Sequence, residues 1–212
     1  MTYSLIRGGA DAYHIKQDVI PLLNGNCDFV TCDGIKHHID GEWDLIIAHP
    51  PCTYLTVTGN RWFNVDKYGE AALNRLEQRK EAINFFMILA NAHCKHIAIE
   101  NPVGVISTVW RKPDQIVQPY FFGDEASKTT CLWLKNLPNL KPTKIVGKGE
   151  WVVLSSGKRL PKWYSDALTK AKTSEERRNL RSKTFPGFAK AIAEQWGEFL
   201  INEAIQEIIE EK

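Results

Sequence analysis

The spacing of apolar residues changes several times along the chain, and each change marks an element. WDLIIAH (43–49) is apolar almost throughout and stops at Pro50-Pro51, the pattern of a strand buried on both faces. HIAIE (96–100) repeats that pattern and stops at Asn101-Pro102. Between them, residues 70–92 switch to helical spacing, with Ala72, Leu76, Ile83, Phe86, Met87 and Ala90 on one side. Upstream, HIKQDV (14–19) is a short strand candidate, and FVTCDGIKHHI (29–39) places two β-prone arms around Asp33-Gly34, a hairpin signal. TCLWL (130–134) and WVVLS (151–155) predict further strands in a more irregular region. A last helix is expected from near Phe185 almost to the end, with Ile192, Trp196, Leu200, Ile201, Ile205 and Ile208 as its apolar stripe. Strands alternating with helices predict an α/β sheet. With no repeat, low-complexity tract or linker, residues 1–212 are expected to form a single domain.

Composition narrows the class. At 212 residues, 43% hydrophobic and 25% charged, the chain can bury a sizeable core. No apolar run approaches the roughly 20 residues that span a bilayer, and MTYSLIRGG lacks a signal-peptide pattern. No membrane association is therefore expected. Cys27, Cys32, Cys52, Cys94 and Cys131 form no paired framework, which suits a reducing cytoplasm. The net charge of +2 conceals an uneven distribution: residues 141–190 carry 13 Lys and Arg against 4 Asp and Glu. Such a stretch either attracts a polyanion such as DNA or forms a solvated surface.

The candidate chemistry lies where the two buried strands end. In open α/β sheets, ligands bind at the carboxyl ends of strands. Two parallel strands joined by one helix would bring HPPC (49–52) and ENP (100–102) to the same rim. Pro50 and Pro51 stiffen the Cys52 loop without adding backbone donors. A cysteine and a carboxyl facing a flat base suit cytosine chemistry, since a thiolate adding to carbon 6, with an acid protonating nitrogen 3, makes carbon 5 nucleophilic. The base must be swung out of a duplex to reach them. The plain alternatives are a small buried cysteine and an Asn-Pro turn. His49 either tunes the Cys52 thiolate or ends its strand. Arg61, Trp62 and Phe63 either flank a flipped base or pack in the core. Cys27, Cys32, His37 and His38 fit no common zinc-finger spacing, and the hairpin accounts for that stretch, so no metal site is expected.

These motifs resemble the cytosine carbon-5 DNA methyltransferases. PPC matches their nucleophile motif and ENP is similar to their Glu-Asn-Val. HPPCTYLTVTGNRWF, IENPVG, KPDQIVQPYFFG, KTTCLWLKNLP and SKTFPGFAKAIAEQWG resemble a small phage and prophage branch, over roughly residues 13–200. The resemblance implies a Rossmann-like, S-adenosylmethionine-dependent methyltransferase fold with an irregular basic region after Ala126. It implies Cys52 as nucleophile, Glu100 as the acid toward nitrogen 3, and Asn101 bracing the loop with Pro50 and Pro51. Lys128 and Thr130 fall where the family grips base and phosphate, although its Gln-x-Arg-x-Arg is absent. Asp18 matches the residue that contacts the donor's adenine, and Ser182–Gly187 resembles the motif that closes over the donor.

The departures shape what else is expected. The family's Phe-x-Gly-x-Gly strand, which cradles the donor's amino-acid end, has no counterpart here, and Arg7-Gly8-Gly9 stands too close to HIKQDV to replace it. The fold is therefore expected to be reduced at its N-terminal edge, leaving the Asp44–His49 strand short of a neighbour. Thr2–Ile6, a second copy of the chain or a complementing subunit would cover that edge. No large target-recognition insert lies between Leu134 and Phe185. The alternative to an enzyme is a catalytically inactive relative that binds nucleic acid or a protein, such as a phage counter-defence factor. Amino-group methylation by a variant Asp-Pro-Pro-Tyr motif fits less well, because that chemistry needs no cysteine.

Overall fold

The computed structural model describes residues 3–7, 11–15, 20–23, 25–31, 34–39, 41–182 and 184–210. It is mixed α/β and divides into two compact units. One runs to Ile116 and adds Thr130–Asn139 and the chain from Leu200; the other comprises Val117–Thr129 and Leu140–Phe199.

The first unit contains strands β1 (Tyr3–Arg7), β2 (Asp11–Ile15), β3 (Cys27–Val30), β4 (Lys36–Ile39) and β5 (Leu45–Ala48). Helix α1 (Val65–Ala90), β6 (His96–Asn101), α2 (Ile106–Val109), β7 (Gln115–Val117, of which Val117 counts with the other unit) and β8 (Thr130–Lys135) follow. Six strands form one sheet in the order β2-β1-β5-β6-β8-β7. β5 and β6 are parallel, with Leu45 opposite His96 and Ala48 opposite Ile99. β8 runs antiparallel to β6, pairing Asn101 with Cys131. Side chains alternate between sheet faces. Ile46, Ala48, Ile97, Ile99, Cys131 and Trp133 therefore join one core with Phe86 and Leu89 of α1, while Leu45, Ile47, Ala98 and Leu132 are buried on the other face. That double burial explains why both strands read as continuous apolar runs.

Helix α1 starts earlier than its apolar spacing predicts. Asn64 caps it by accepting the Lys67 N–H at 2.8 Å, and Gly69 (φ 50°, ψ −129°) breaks the first turn from the rest. The apolar period is legible only after that kink.

The N-terminal strands correct the sequence reading. Of HIKQDV, His14 and Ile15 belong to β2, and Lys16, Gln17, Asp18 and Val19 lie outside the described residues. β1 pairs antiparallel with β2 on one side and with β5 on the other, placing Ser4 opposite Ile47, Leu5 opposite Ile46 and Ile6 opposite Leu45. The edge expected to be open is therefore filled from within the chain, by one of the covers anticipated. Thr2 lies outside the described residues.

The hairpin forms as expected, with Cys27 opposite Ile39 and Val30 opposite Lys36. Phe29 is buried against Trp43 and stacks on His37 at 5.3 Å, while His38 Nδ1 lies 2.6 Å from Asp28 Oδ1. Both histidines serve the hairpin. Cys32 and Asp33 lie outside the described residues, among which no three potential metal ligands converge.

The second unit is built from β9 (Trp151–Val153), β10 (Arg159–Pro161), α3 (Lys162–Thr169), α4 (Ser174–Ser182) and α5 (Pro186–Glu210) as far as Phe199. β9 and β10 form a hairpin around Gly157 (φ 76°), with Lys158 and Arg159 exposed at its turn. Two of the quoted strings meet here. Phe122 packs on Phe188 at 5.4 Å, and Gly187 N–H donates to Asp124 Oδ2 at 2.8 Å. A side chain at Gly187 would collide with the Phe122 carbonyl, so this approach requires glycine.

The apolar stripe expected on α5 holds only in part. Trp196 and Leu200 are buried, but Ile201, Ile205 and Ile208 are 48%, 47% and 58% exposed. In the portion belonging to the first unit, the packing groups are acidic: Glu203 lies 2.9 Å from Lys95 Nζ and 2.7 Å from His96 Nε2. Among the described residues, no helix is long and apolar enough to cross a membrane.

Candidate active site

β5 and β6 place HPPC and ENP side by side. Continuing the parallel register one step beyond Ala48 and Ile99 sets His49 opposite Glu100. His49 Nδ1 lies 2.6 Å from Glu100 Oε2, a hydrogen bond that holds a proton between imidazole and carboxyl. The side chains are 27% and 12% exposed, so the pair is sheltered with its histidine end toward solvent. One residue on, Asn101 is buried and its side-chain N–H donates to the Pro50 carbonyl at 2.9 Å. Its Oδ1 has no partner among the described residues, leaving a buried acceptor that costs about 1–3 kcal/mol until a donor reaches it.

Cys52 follows in a turn whose geometry is fixed from both sides. Its carbonyl accepts the N–H groups of Leu55 and Thr56 at 3.0 and 2.9 Å. The Val105 N–H donates to the Leu55 carbonyl at 2.8 Å, and the Val57 N–H donates to the Val103 carbonyl at 3.1 Å. The loop after Asn101 is thereby clasped to the loop carrying Cys52. Gly104 makes this possible, because a Cβ there would run into the Leu55 carbonyl. Cys52, Glu100, Asn101 and Pro50 thus share one rim, positioned by two adjacent strands and by backbone bonds between their loops.

Each of the other described cysteines has a raised thiol. Burial pushes the Cys94 thiol up to about 11, and its Sγ donates to the carbonyls of Trp43 and His96. Burial and then the neighbouring Glu100 charge push Cys131 up, while burial and then Asp28 do so for Cys27. A raised thiol is a poor nucleophile at neutral pH. Cys52 is half-buried on its turn.

The remaining expected residues fall in different places. Thr130 is buried at the start of β8, the neighbour of β6. Lys128, half-buried, and Ser182, exposed at the end of α4, belong to the second unit. Asp18 lies outside the described residues. The described residues do not fit an S-adenosylmethionine cradle. Beside β5, where a glycine-rich strand would turn into a helix, the neighbour is β1, paired antiparallel with both β5 and β2.

Sequence reasoning passed over Arg75 and Arg79. Both reach from α1 onto the segment after Cys52 and cover Phe63, with their Cζ atoms 5.1 and 3.4 Å from its ring centre. The available signal was their spacing of one helical turn, which aims both side chains at one target. Compared with known proteins, the chain matches no family model, no curated protein and no solved structure.

Proposed function

We propose that the protein acts on cytosine in DNA by the covalent chemistry of the carbon-5 methyltransferases, on a Rossmann-like fold. The observation that carries this reading is the convergence of the Cys52 turn and the Glu100 carboxyl at the ends of two adjacent parallel strands. The Cys52 thiolate adds to carbon 6 of a flipped cytosine, and Glu100 gives its proton to nitrogen 3 as the electrons of the 5,6-double bond move into the ring. The product is an enamine, nucleophilic at carbon 5. His49 supports the acid by fixing the carboxyl through their 2.6 Å hydrogen bond, with the imidazole the more exposed of the two.

S-adenosylmethionine is the donor that the resemblance implies. The described residues form no cradle for it, so the chemistry assigned to them is the activation of cytosine. That lack favours a second reading, a relative that binds DNA without turnover.

Activation has a readout that needs no donor. The carbon-5 enamine takes a deuteron from D2O; loss of the original proton and departure of the thiolate then return cytosine labelled at carbon 5, with nitrogen 3 giving its proton back to Glu100. DNA incubated with the chain in D2O is expected to gain deuterium at that position, and the Cys52→Ser variant to give none. Bound DNA without exchange would favour the binding relative.

A further inference from the structure

The segment after the Cys52 turn carries a cationic and aromatic array for which the proposed chemistry has no use. Thr56 opens a tight helical turn over Val57–Phe63. The Arg75 guanidinium sits 5.0 Å above the Tyr54 ring and 5.1 Å from Phe63, while Arg79 lies 3.4 Å over Phe63. Arg79 is further fixed by donating to the Tyr54 carbonyl at 2.9 Å and to Asn60 Oδ1 at 2.8 Å. Beside them, Arg61 stacks on Trp62 at 4.6 Å, and Trp62 stays 41% exposed.

Three features of this array are unusual for a structural cluster. The Arg75 side chain makes no hydrogen bond among the described residues, and its Nε is buried without a partner. No carboxylate pairs with Arg61, Arg75 or Arg79 among the described residues. Burial and then the charge of Arg75 push Arg79 below its ordinary value, so two like charges are held together at a cost. Stacking fixes a guanidinium by its face; Arg79 spends Nε and Nη2 on Tyr54 and Asn60, which leaves its Nη1 and the terminal nitrogens of Arg75 without a hydrogen bond among the described residues and able to donate to a phosphate. An exposed indole beside it offers a platform for a base.

On the reading that DNA is the substrate, we propose that Arg75 and Arg79, backed by Tyr54 and Phe63, bind the backbone phosphates flanking the flipped cytosine, with Arg61 and Trp62 stacking on the neighbouring base. Arg79 holds the Tyr54 carbonyl, two residues beyond Cys52, so the phosphate grip and the nucleophile are joined by one short segment. The array supplies from α1 the guanidinium groups that a Gln-x-Arg-x-Arg motif would otherwise provide.

The test is the binding of the full chain to a labelled single-stranded oligonucleotide of about 12 nucleotides across a salt series, read by fluorescence anisotropy. The double variant Arg75→Gln with Arg79→Gln is expected to lose at least about tenfold in affinity and to flatten the salt slope by about 1.4, or 0.7 per phosphate. Arg75→Lys with Arg79→Lys keeps both charges, so its slope should match the wild type, a result that separates phosphate contact from misfolding. Trp62→Ala should weaken binding with the slope unchanged. Lys158→Glu with Arg159→Glu serves as a comparison in the second unit. If the wild type binds and the Gln pair binds equally well with an equal slope, this assignment is overturned while the DNA reading stands. If the wild type binds neither this oligonucleotide nor its duplex with the complementary strand at any salt concentration, the DNA reading falls and takes this assignment with it.

Discussion

Glu100 and His49 share a 2.6 Å hydrogen bond at the ends of the two parallel strands, and it holds the proposed acid in place. Glu100→Gln keeps the shape and removes the acid, so carbon-5 exchange should slow by about 100-fold or more. His49→Ala should slow it less, and His49→Gln, which restores a hydrogen-bond donor, should recover part of the loss. Equal rates in wild type and Glu100→Gln would remove Glu100 from the reaction. Gly104 acts on the same site through packing. Gly104→Ala forces a Cβ into the Leu55 carbonyl and should cost about 1–3 kcal/mol in urea unfolding. Gly147→Ala, where nothing lies within 4 Å, is the matched control and should be near neutral. Cys52, Glu100 and Asn101 draw notice in the sequence because they stand at or just past the ends of strands whose burial makes them conspicuous. Gly104 does not, since the need for glycine comes from Leu55, 49 positions away, and only the folded loops reveal it.

At the scale of elements, β5, α1, β6 and the β3–β4 hairpin follow from period and turn residues. So does β6 as the parallel neighbour of β5, but the sequence leaves open which of the anticipated covers takes its other side, because strand pairing is a tertiary choice that the local pattern does not encode. β1 fills the edge, and its removal should expose a flat apolar strand. Leu5→Pro, placed opposite Ile46, should erase amide-exchange protection at Leu45–Ala48 and produce concentration-dependent association in sedimentation equilibrium. Unchanged protection would mean that β5 does not depend on β1. The end of α5 was misread for a related reason: an isoleucine stripe predicts an apolar contact, yet Glu203 is the residue that docks. Burial disfavours its ionised form, but hydrogen bonds from Lys95 and His96 outweigh that and hold the carboxyl below its usual value. A carboxyl lowered in the folded state stabilises above its unfolded pKa of about 4.3, and the stabilisation fades as pH falls through the folded value. The stability gap between wild type and Glu203→Gln should therefore be full at neutral pH and close on acidification below about 4. A gap independent of pH would contradict the pairing.

At the scale of the whole molecule, the charge surplus of residues 141–190 lies in the second unit, whereas the candidate chemistry lies in the first. Lys162, Lys170 and Lys190 are paired with Glu150, Asp166 and Glu194, so three of the 13 basic residues in that stretch are engaged in surface ion pairs. Composition alone does not separate such pairs from charges that face a ligand. The donor question also belongs to this scale. With β1 in an antiparallel hairpin beside β5, S-adenosylmethionine titrated calorimetrically into the chain alone should show no micromolar site. Such a site would mean that a cradle exists outside the described residues.

The central claim is that Cys52 is a nucleophile toward carbon 6 of a pyrimidine held beside Glu100, and covalent capture tests it most directly. DNA carrying 2-pyrimidinone in place of cytosine lacks the 4-amino group, so carbon 6 is more electrophilic and addition needs no methyl donor. Peptide mapping of the captured complex by mass spectrometry should place the DNA on Cys52, with Cys27, Cys32, Cys94 and Cys131 unmodified and the Cys52→Ser variant uncaptured. Capture on another cysteine, or none with the DNA bound, would contradict the account.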